Sequence, residues 1–66
     1  MSFTIINAKC IAESKNKKSI LVDAPDFDEP EWIAVSQIDE DSEVYKRGTS
    51  GDLIITEWLA RHKGWI

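Results

Sequence analysis

Between Asp23 and Glu43 the chain carries nine carboxylates and not one Lys, Arg or His. Unpartnered carboxylates are too costly to bury, so folding must keep this middle third of the chain in water. All eight bases lie in the other forty-five residues, together with three acids, so a −9 segment faces flanks of 8 − 3 = +5 behind a net charge of −4. The constraint is topological as well as electrostatic. The run Glu31-Trp32-Ile33-Ala34-Val35 reads as a strand inside the acidic stretch, so the charges must surround an element of the fold.

Sixty-six residues allow one domain, residues 1–66, because a chain this short buries only about 60% of its unfolded surface and cannot divide it between two cores. With 42% apolar residues and three Trp the composition is that of an ordered protein. Cys10 is the only cysteine, which excludes an internal disulfide, leaves too few soft ligands for structural zinc and favours a reducing cytoplasm. Met1 to Lys9 lacks the basic-then-apolar pattern of a secretory leader, and no apolar run approaches the roughly 20 residues that span a bilayer. A cytoplasmic protein with no membrane association is expected.

Phe3 to Glu13 alternates with a period of two, placing Ile6, Ala8, Cys10 and Ala12 on one face and Ile5, Asn7, Lys9 and Ile11 on the other. The polar stretch Ser14 to Lys18 then turns the chain into Ser19–Asp23, whose β-branched content suits a more buried strand. Pro25 and Pro30 bracket an exposed loop, Glu31–Val35 is the third strand, and Ser36-Gln37-Ile38 is a tight turn that buries Ile38. Ser42–Lys46 is expected as a fourth strand with Val44 inward, and Asp52–Ile55 as a fifth. Thr56 is a good helix N-cap, Glu57 suits the positive start, Arg61, His62 and Lys63 suit the negative end, and Gly64 suits the stop. This predicts a helix over Glu57–Lys63 pinned to the sheet by Trp58, Leu59 and Ile66, since two turns are not stable alone. The expected class is α+β, mainly β: a curved antiparallel sheet or SH3/OB-like barrel of about five short strands with one C-terminal helix.

Chemistry-bearing residues are sparse. His62 sits between two bases at a helix end, which needs only backbone carbonyls, and Cys10 has the apolar neighbours of a packing residue. Asp39-Glu40-Asp41-Ser42-Glu43 lacks the ligand alternation and central Gly of a calcium loop, and Gly48-Thr49-Ser50-Gly51 lacks the lysine and the strand-to-helix setting of a phosphate loop. Catalytic residues, metal ligands, cofactors and a small-molecule substrate are therefore not expected. Lys15, Lys17 and Lys18 make a basic turn, with Lys46, Arg47, Arg61 and Lys63 available for a second patch, so a single-strand nucleic-acid module is one reading. The −9 segment opposes it wherever it lies within about 8 Å of those bases.

The acidic segment has two readings. Net charge keeps small proteins soluble, and nothing more is then required of it. Alternatively Asp23, Asp26, Asp28, Glu29, Glu31, Asp39, Glu40, Asp41 and Glu43 form a partner-binding surface that imitates the phosphates of a duplex, with Phe27 as its apolar anchor. Trp32 belongs either to that anchor or to the core.

The segments Ser19-Ile20-Leu21-Val22, Glu31-Trp32-Ile33-Ala34-Val35-Ser36-Gln37-Ile38, Ser42-Glu43-Val44 and Gly51-Asp52-Leu53-Ile54-Ile55-Thr56-Glu57-Trp58-Leu59-Ala60 resemble a family of small uncharacterised phage and prophage proteins. In that pattern Pro and Lys are common where Ala34 and Val35 stand here. The resemblance covers residues 19–64 and brings no catalytic residues. It implies a mobile-element origin and, by analogy with small acidic phage proteins such as anti-CRISPR inhibitors, a monomer in the host cytoplasm that binds a basic host protein or nucleoprotein complex. Direct nucleic-acid binding is then the lesser alternative.

Overall fold

The computed structural model describes all residues 1–66, and it is mainly β. Four strands form one antiparallel sheet: β1 (Ser2–Glu13), β2 (Ser19–Asp23), β3 (Glu31–Ala34) and β4 (Ser50–Thr56). Their order is β3-β2-β1-β4, and one helix, α1 (Glu57–His62), ends the chain. No helix is long and apolar enough to cross a membrane.

β1 does not keep the parity its alternation predicts. Ile5 opposes Leu53 and Ala8 opposes Gly51, so β1 carries one extra residue over this interval; a second lies between Cys10 and Ala12, opposite Val22 and Leu21. Asn7 accommodates the first bulge at φ +56°, a left-handed conformation that Asn tolerates better than most residues. Each bulge exchanges the faces. Ile5, Ala8 and Cys10 therefore point into the core, while Ile6, expected on the face of Ala8, is 59% exposed. Bulges also bend a strand, and β1 pairs its first half with β4 and its second half with β2.

The bend brings Ile20, Val22, Ile33, Leu53 and Ile55 over one another with Leu59 and Ala60 of α1. Fully burying a Val, Leu or Ile side chain is worth about 1.5–3 kcal/mol, and this single cluster supplies the apolar burial of the fold. Closure into a barrel is not reached. A 3-10 turn, Val35–Gln37, carries the chain from β3 across to β4, where it makes one bridge, Ile38 to Ile55.

The expected fourth strand, Ser42–Lys46, does not form. Its backbone is taken by side chains: Ser42 Oγ accepts from Val44 N–H at 3.2 Å, and Thr49 Oγ1 accepts from Tyr45 N–H at 3.0 Å and Lys46 N–H at 3.2 Å. Local side-chain bonds of this kind compete with a ladder. Val44 nevertheless points inward and is fully buried.

Thr56 caps α1 by accepting from Leu59 N–H at 3.2 Å, and its hydroxyl donates to Gln37 Oε1 at 2.6 Å, tying the helix start to the 3-10 turn. Gly64, at φ +80°, reverses the chain so that Trp65 returns to the core. The helix is thus held by Leu59, Ala60 and Trp65. Trp58, expected among the pins, is 62% exposed and stacks on His62 with ring centroids 5.2 Å apart; Ile66 is exposed as well.

Candidate functional site

Folding sorts the nine acids into two groups. The first, Asp23, Asp26, Asp28, Glu29 and Glu31, occupies the end of β2, the loop after it and the start of β3. Bases interrupt this group: Lys9 stands opposite Asp23 in the β1–β2 register, and Lys63 Nζ donates to Glu31 Oε1 at 3.0 Å. Phe27 is not a free anchor. Its ring stacks on Trp65 with centroids 4.8 Å apart and packs against the core. Together with Phe3, Thr4, Ile5, Asp26 and Gly64, the two rings line an open cleft of about 320 Å³. The exposed aromatic of the acidic segment is Trp32, 48% accessible, whose parity in β3 is opposite to that of buried Ile33.

The second group lies along the outer edge of β4. Asp39 N–H donates to Ile54 O at 2.8 Å and Glu43 N–H to Asp52 O at 2.9 Å, so residues 39–43 run beside the strand. Return bonds fasten them: Glu43 Oε1 accepts from Asp52 N–H at 2.9 Å and Ser42 Oγ from Ile54 N–H at 3.1 Å. Ser42 is the one buried polar residue, and its hydroxyl donates to Val44 O at 2.9 Å. The Asp39 carboxylate accepts from Asp41 N–H at 2.9 Å and orders the tip of the loop. Pairing Glu43 with Asp52 adds a fifth acid to Asp39, Glu40, Asp41 and Glu43. The three ion pairs of the chain, Lys17–Glu13, Arg61–Glu57 and Lys63–Glu31, involve none of these five.

Sequence reasoning missed Ser42 and Asp52. Ser42 resembled the start of a strand, and Asp52 lay outside the acidic run. Only pairing between segments 39–43 and 52–54 reveals either role.

Five of the eight bases, Lys15, Lys17, Lys18, Lys46 and Arg47, gather at the opposite end of β2. Glu13 is the clamp: Lys17 Nζ donates to its Oε2 at 2.9 Å and Arg47 N–H to its Oε1 at 3.1 Å. These bonds, the Lys17 one foremost, hold the Glu13 carboxyl below the usual carboxylate range. Two turns that are far apart in sequence, Ser14–Lys18 and Lys46–Thr49, thereby become neighbours. Lys46 Nζ lies 5.6 Å from the centroid of the exposed Tyr45 ring. Beside the first turn, Lys17, Lys18, Val35 and Ser36 line a shallow groove of about 390 Å³. The five residues of β2 put about 13 Å between this end and the Asp23–Glu31 group, more than the screening length of about 8 Å.

Cys10 is buried, donates its S–H to Ala12 O at 3.3 Å, and has its pKa raised chiefly by desolvation, the state of a packing residue. No three His, Cys, Asp or Glu side chains converge as metal ligands would. Comparison with protein-family models, with curated proteins and with solved structures finds no match to this chain.

Proposed function

We propose that the chain is a non-enzymatic, phage-type binding protein whose acidic β4 edge seats on a basic, nucleic-acid-binding surface of a host protein. The observation that carries this reading is the row Asp39, Glu40, Asp41, Glu43 and Asp52, anchored by backbone bonds and free of ion pairs. A disordered acidic tail must be ordered at the moment of binding; carboxylates whose backbone is already fastened to a strand lose less freedom. Five like charges on one edge also accelerate encounter with a basic partner and disfavour acidic ones. An anti-defence inhibitor of the anti-CRISPR kind, acting in the host cytoplasm, is the most concrete form. It draws its support from the resemblance to phage and prophage proteins.

The test is titration with a fluorescent arginine-rich peptide at fixed ionic strength. Reversing Asp39, Glu40 and Asp41 to Lys is expected to weaken binding at least tenfold, and the same reversal of Asp26, Asp28 and Glu29 to weaken it less. Equal losses, or none, would refute a site on the β4 edge.

A second reading has its own observation. Glu13 draws Lys17 and the turn containing Lys46 and Arg47 together, so Lys15, Lys17, Lys18, Lys46 and Arg47 share one end of the molecule with the exposed Tyr45. That is the arrangement a single-stranded nucleic acid requires, bases for its phosphates and a ring for stacking. Oligonucleotide affinity that falls steeply with salt and is lost on reversing Lys17 and Lys18 would select this reading over the first.

A further inference from the structure

Of the two sheet edges, only that of β3 is open. Val35 N–H donates to Lys18 O at 2.9 Å, which makes Lys18 and Val35 a hydrogen-bonded pair in the β2–β3 register. Such pairs alternate in an antiparallel ladder, so Ile33 and Glu31 turn their N–H and C=O groups toward β2. Trp32 turns both groups outward and Ala34 its N–H, and none of the turn and loop bonds of the chain uses them, while the Ala34 C=O opens the 3-10 turn as its N-cap. Trp32 and Ala34 also share the outer face of the sheet, where Trp32 neighbours Leu21 and Ala34 neighbours Ser19.

We infer that this edge pairs with the same edge of a second copy of the chain. A two-fold axis through Ile33 sets Trp32 of one copy opposite Ala34 of the other. In each such pair the Ala34 N–H of one copy donates to the Trp32 C=O of the other, giving two backbone bonds across the seam. The small Ala34 leaves room for the Trp32 ring across the seam, where it covers apolar surface that is exposed in a single copy.

Charge selects this occupant over a foreign strand. One end of β3 is flanked by Asp28 and Glu29, the other by the groove of Lys17 and Lys18. Antiparallel pairing lays each copy's acidic end beside the other copy's lysines. A basic peptide would be repelled at the lysine end and an acidic one at the other. The dimer takes the place of the monomer expected from the sequence, and it is independent of the reading of the β4 edge: the two acidic edges become the outer borders of one eight-stranded sheet.

A short edge makes a small interface, so association is expected in the micromolar range or weaker. Sedimentation equilibrium from about 20 µM to about 1 mM should show the mass rising from 7.5 kDa toward twice that value. Ala34→Pro removes one outward N–H from each copy while keeping the backbone, because Ala34 already sits at φ −67°, the angle proline imposes. It should weaken the dimer at least tenfold and leave the far-ultraviolet circular dichroism unchanged. Trp32→Ala should weaken it as well.

Hydrogen exchange on the unmodified chain supplies a readout that needs no variant. The Ala34 amide should slow at least tenfold across the same concentration range, whereas those of Asp52 and Ile54 should not respond. A constant 7.5 kDa mass, exchange at Ala34 that is indifferent to concentration, or a folded Ala34→Pro variant that dimerises like the wild type would overturn the inference, as would a foreign peptide strand that binds the edge of a chain remaining monomeric.

Discussion

Along β4 the outer N–H groups of Asp52 and Ile54 are taken by the Glu43 carboxylate and by Ser42 Oγ, while along β3 those of Trp32 and Ala34 have no partner in the chain. Both edges border the same small sheet, yet one is sealed and the other open. The sealed edge is covered by a segment that is not itself a strand. Residues 39–43 lend two backbone N–H groups to β4 and receive two in return through side chains, so their carboxylates are held in position without another strand's edge being created. The open edge is limited by brevity, four residues after Pro30. Natural sheets use both devices against unwanted pairing, and the second leaves room for a chosen partner.

Substitutions at the two edges should separate these roles. The largest effect is expected for Ser42→Ala. Removing the hydroxyl strips the N–H groups of Val44 and Ile54 of their acceptor in a buried place, a loss of about 3 kcal/mol in urea unfolding. A loss below about 1 kcal/mol would mean that the hydroxyl does not hold this edge.

Gly51→Ala comes next. Gly51 stands at φ +130°, and a Cβ there would lie 2.5 Å from Glu43 Oε1, so the new methyl strains the backbone and displaces the carboxylate that seals Asp52. About 2 kcal/mol is expected, with faster exchange at the Asp52 amide. The mirror experiment at the open edge, Ala34→Pro, should leave monomer stability within about 1 kcal/mol of wild type, since φ already fits and the lost N–H bonds nothing within the chain. A large destabilisation would show that the β3 edge is engaged after all.

The smallest effect is expected in acid. Glu13 and Glu57 are held below the ordinary carboxylate range, Glu13 by hydrogen bonds from Lys17 and then from the Arg47 N–H, Glu57 by Arg61. Folded-state values below the unfolded ones mean that the stabilisation is complete above the unfolded pKa of about 4.3 and is lost as the pH falls through the folded values. Glu13→Gln should therefore flatten the decline of the melting temperature between neutral and acid pH. It should also loosen the Lys46–Thr49 turn that leads into β4, detectable as faster exchange of the Arg47 amide.

Much of this fold was legible one segment at a time. The bounds of β2, the inward Val44 and the Thr56 cap follow from β-branched runs, parity and capping chemistry, all of which act over a few residues. Parity failed in β1 because a bulge is paid for by the partner strand's register, and nothing in Ile5-Ile6-Asn7-Ala8 itself compels the extra residue. Ser42–Lys46 failed as a strand for a related reason: Val44 and Tyr45 have the right propensity, but the acceptors Ser42 and Thr49 intervene. Phe27 looked like an exposed anchor because its neighbours are acids. Its stacking partner, Trp65, is thirty-eight residues away in sequence.

The sequence by itself determined the class of the molecule. One core, mainly β, with a capped terminal helix and an acid-only middle kept in water, follows from chain length, local pattern and the cost of burying charge, none of which needs a distant partner. Only the tertiary structure decided that the acids divide into two groups, that the unpaired group gains Asp52, and that one sheet edge is sealed while the other stays open. Those outcomes depend on register and on which backbone N–H groups find acceptors, and such bonds are settled between segments when the sheet assembles.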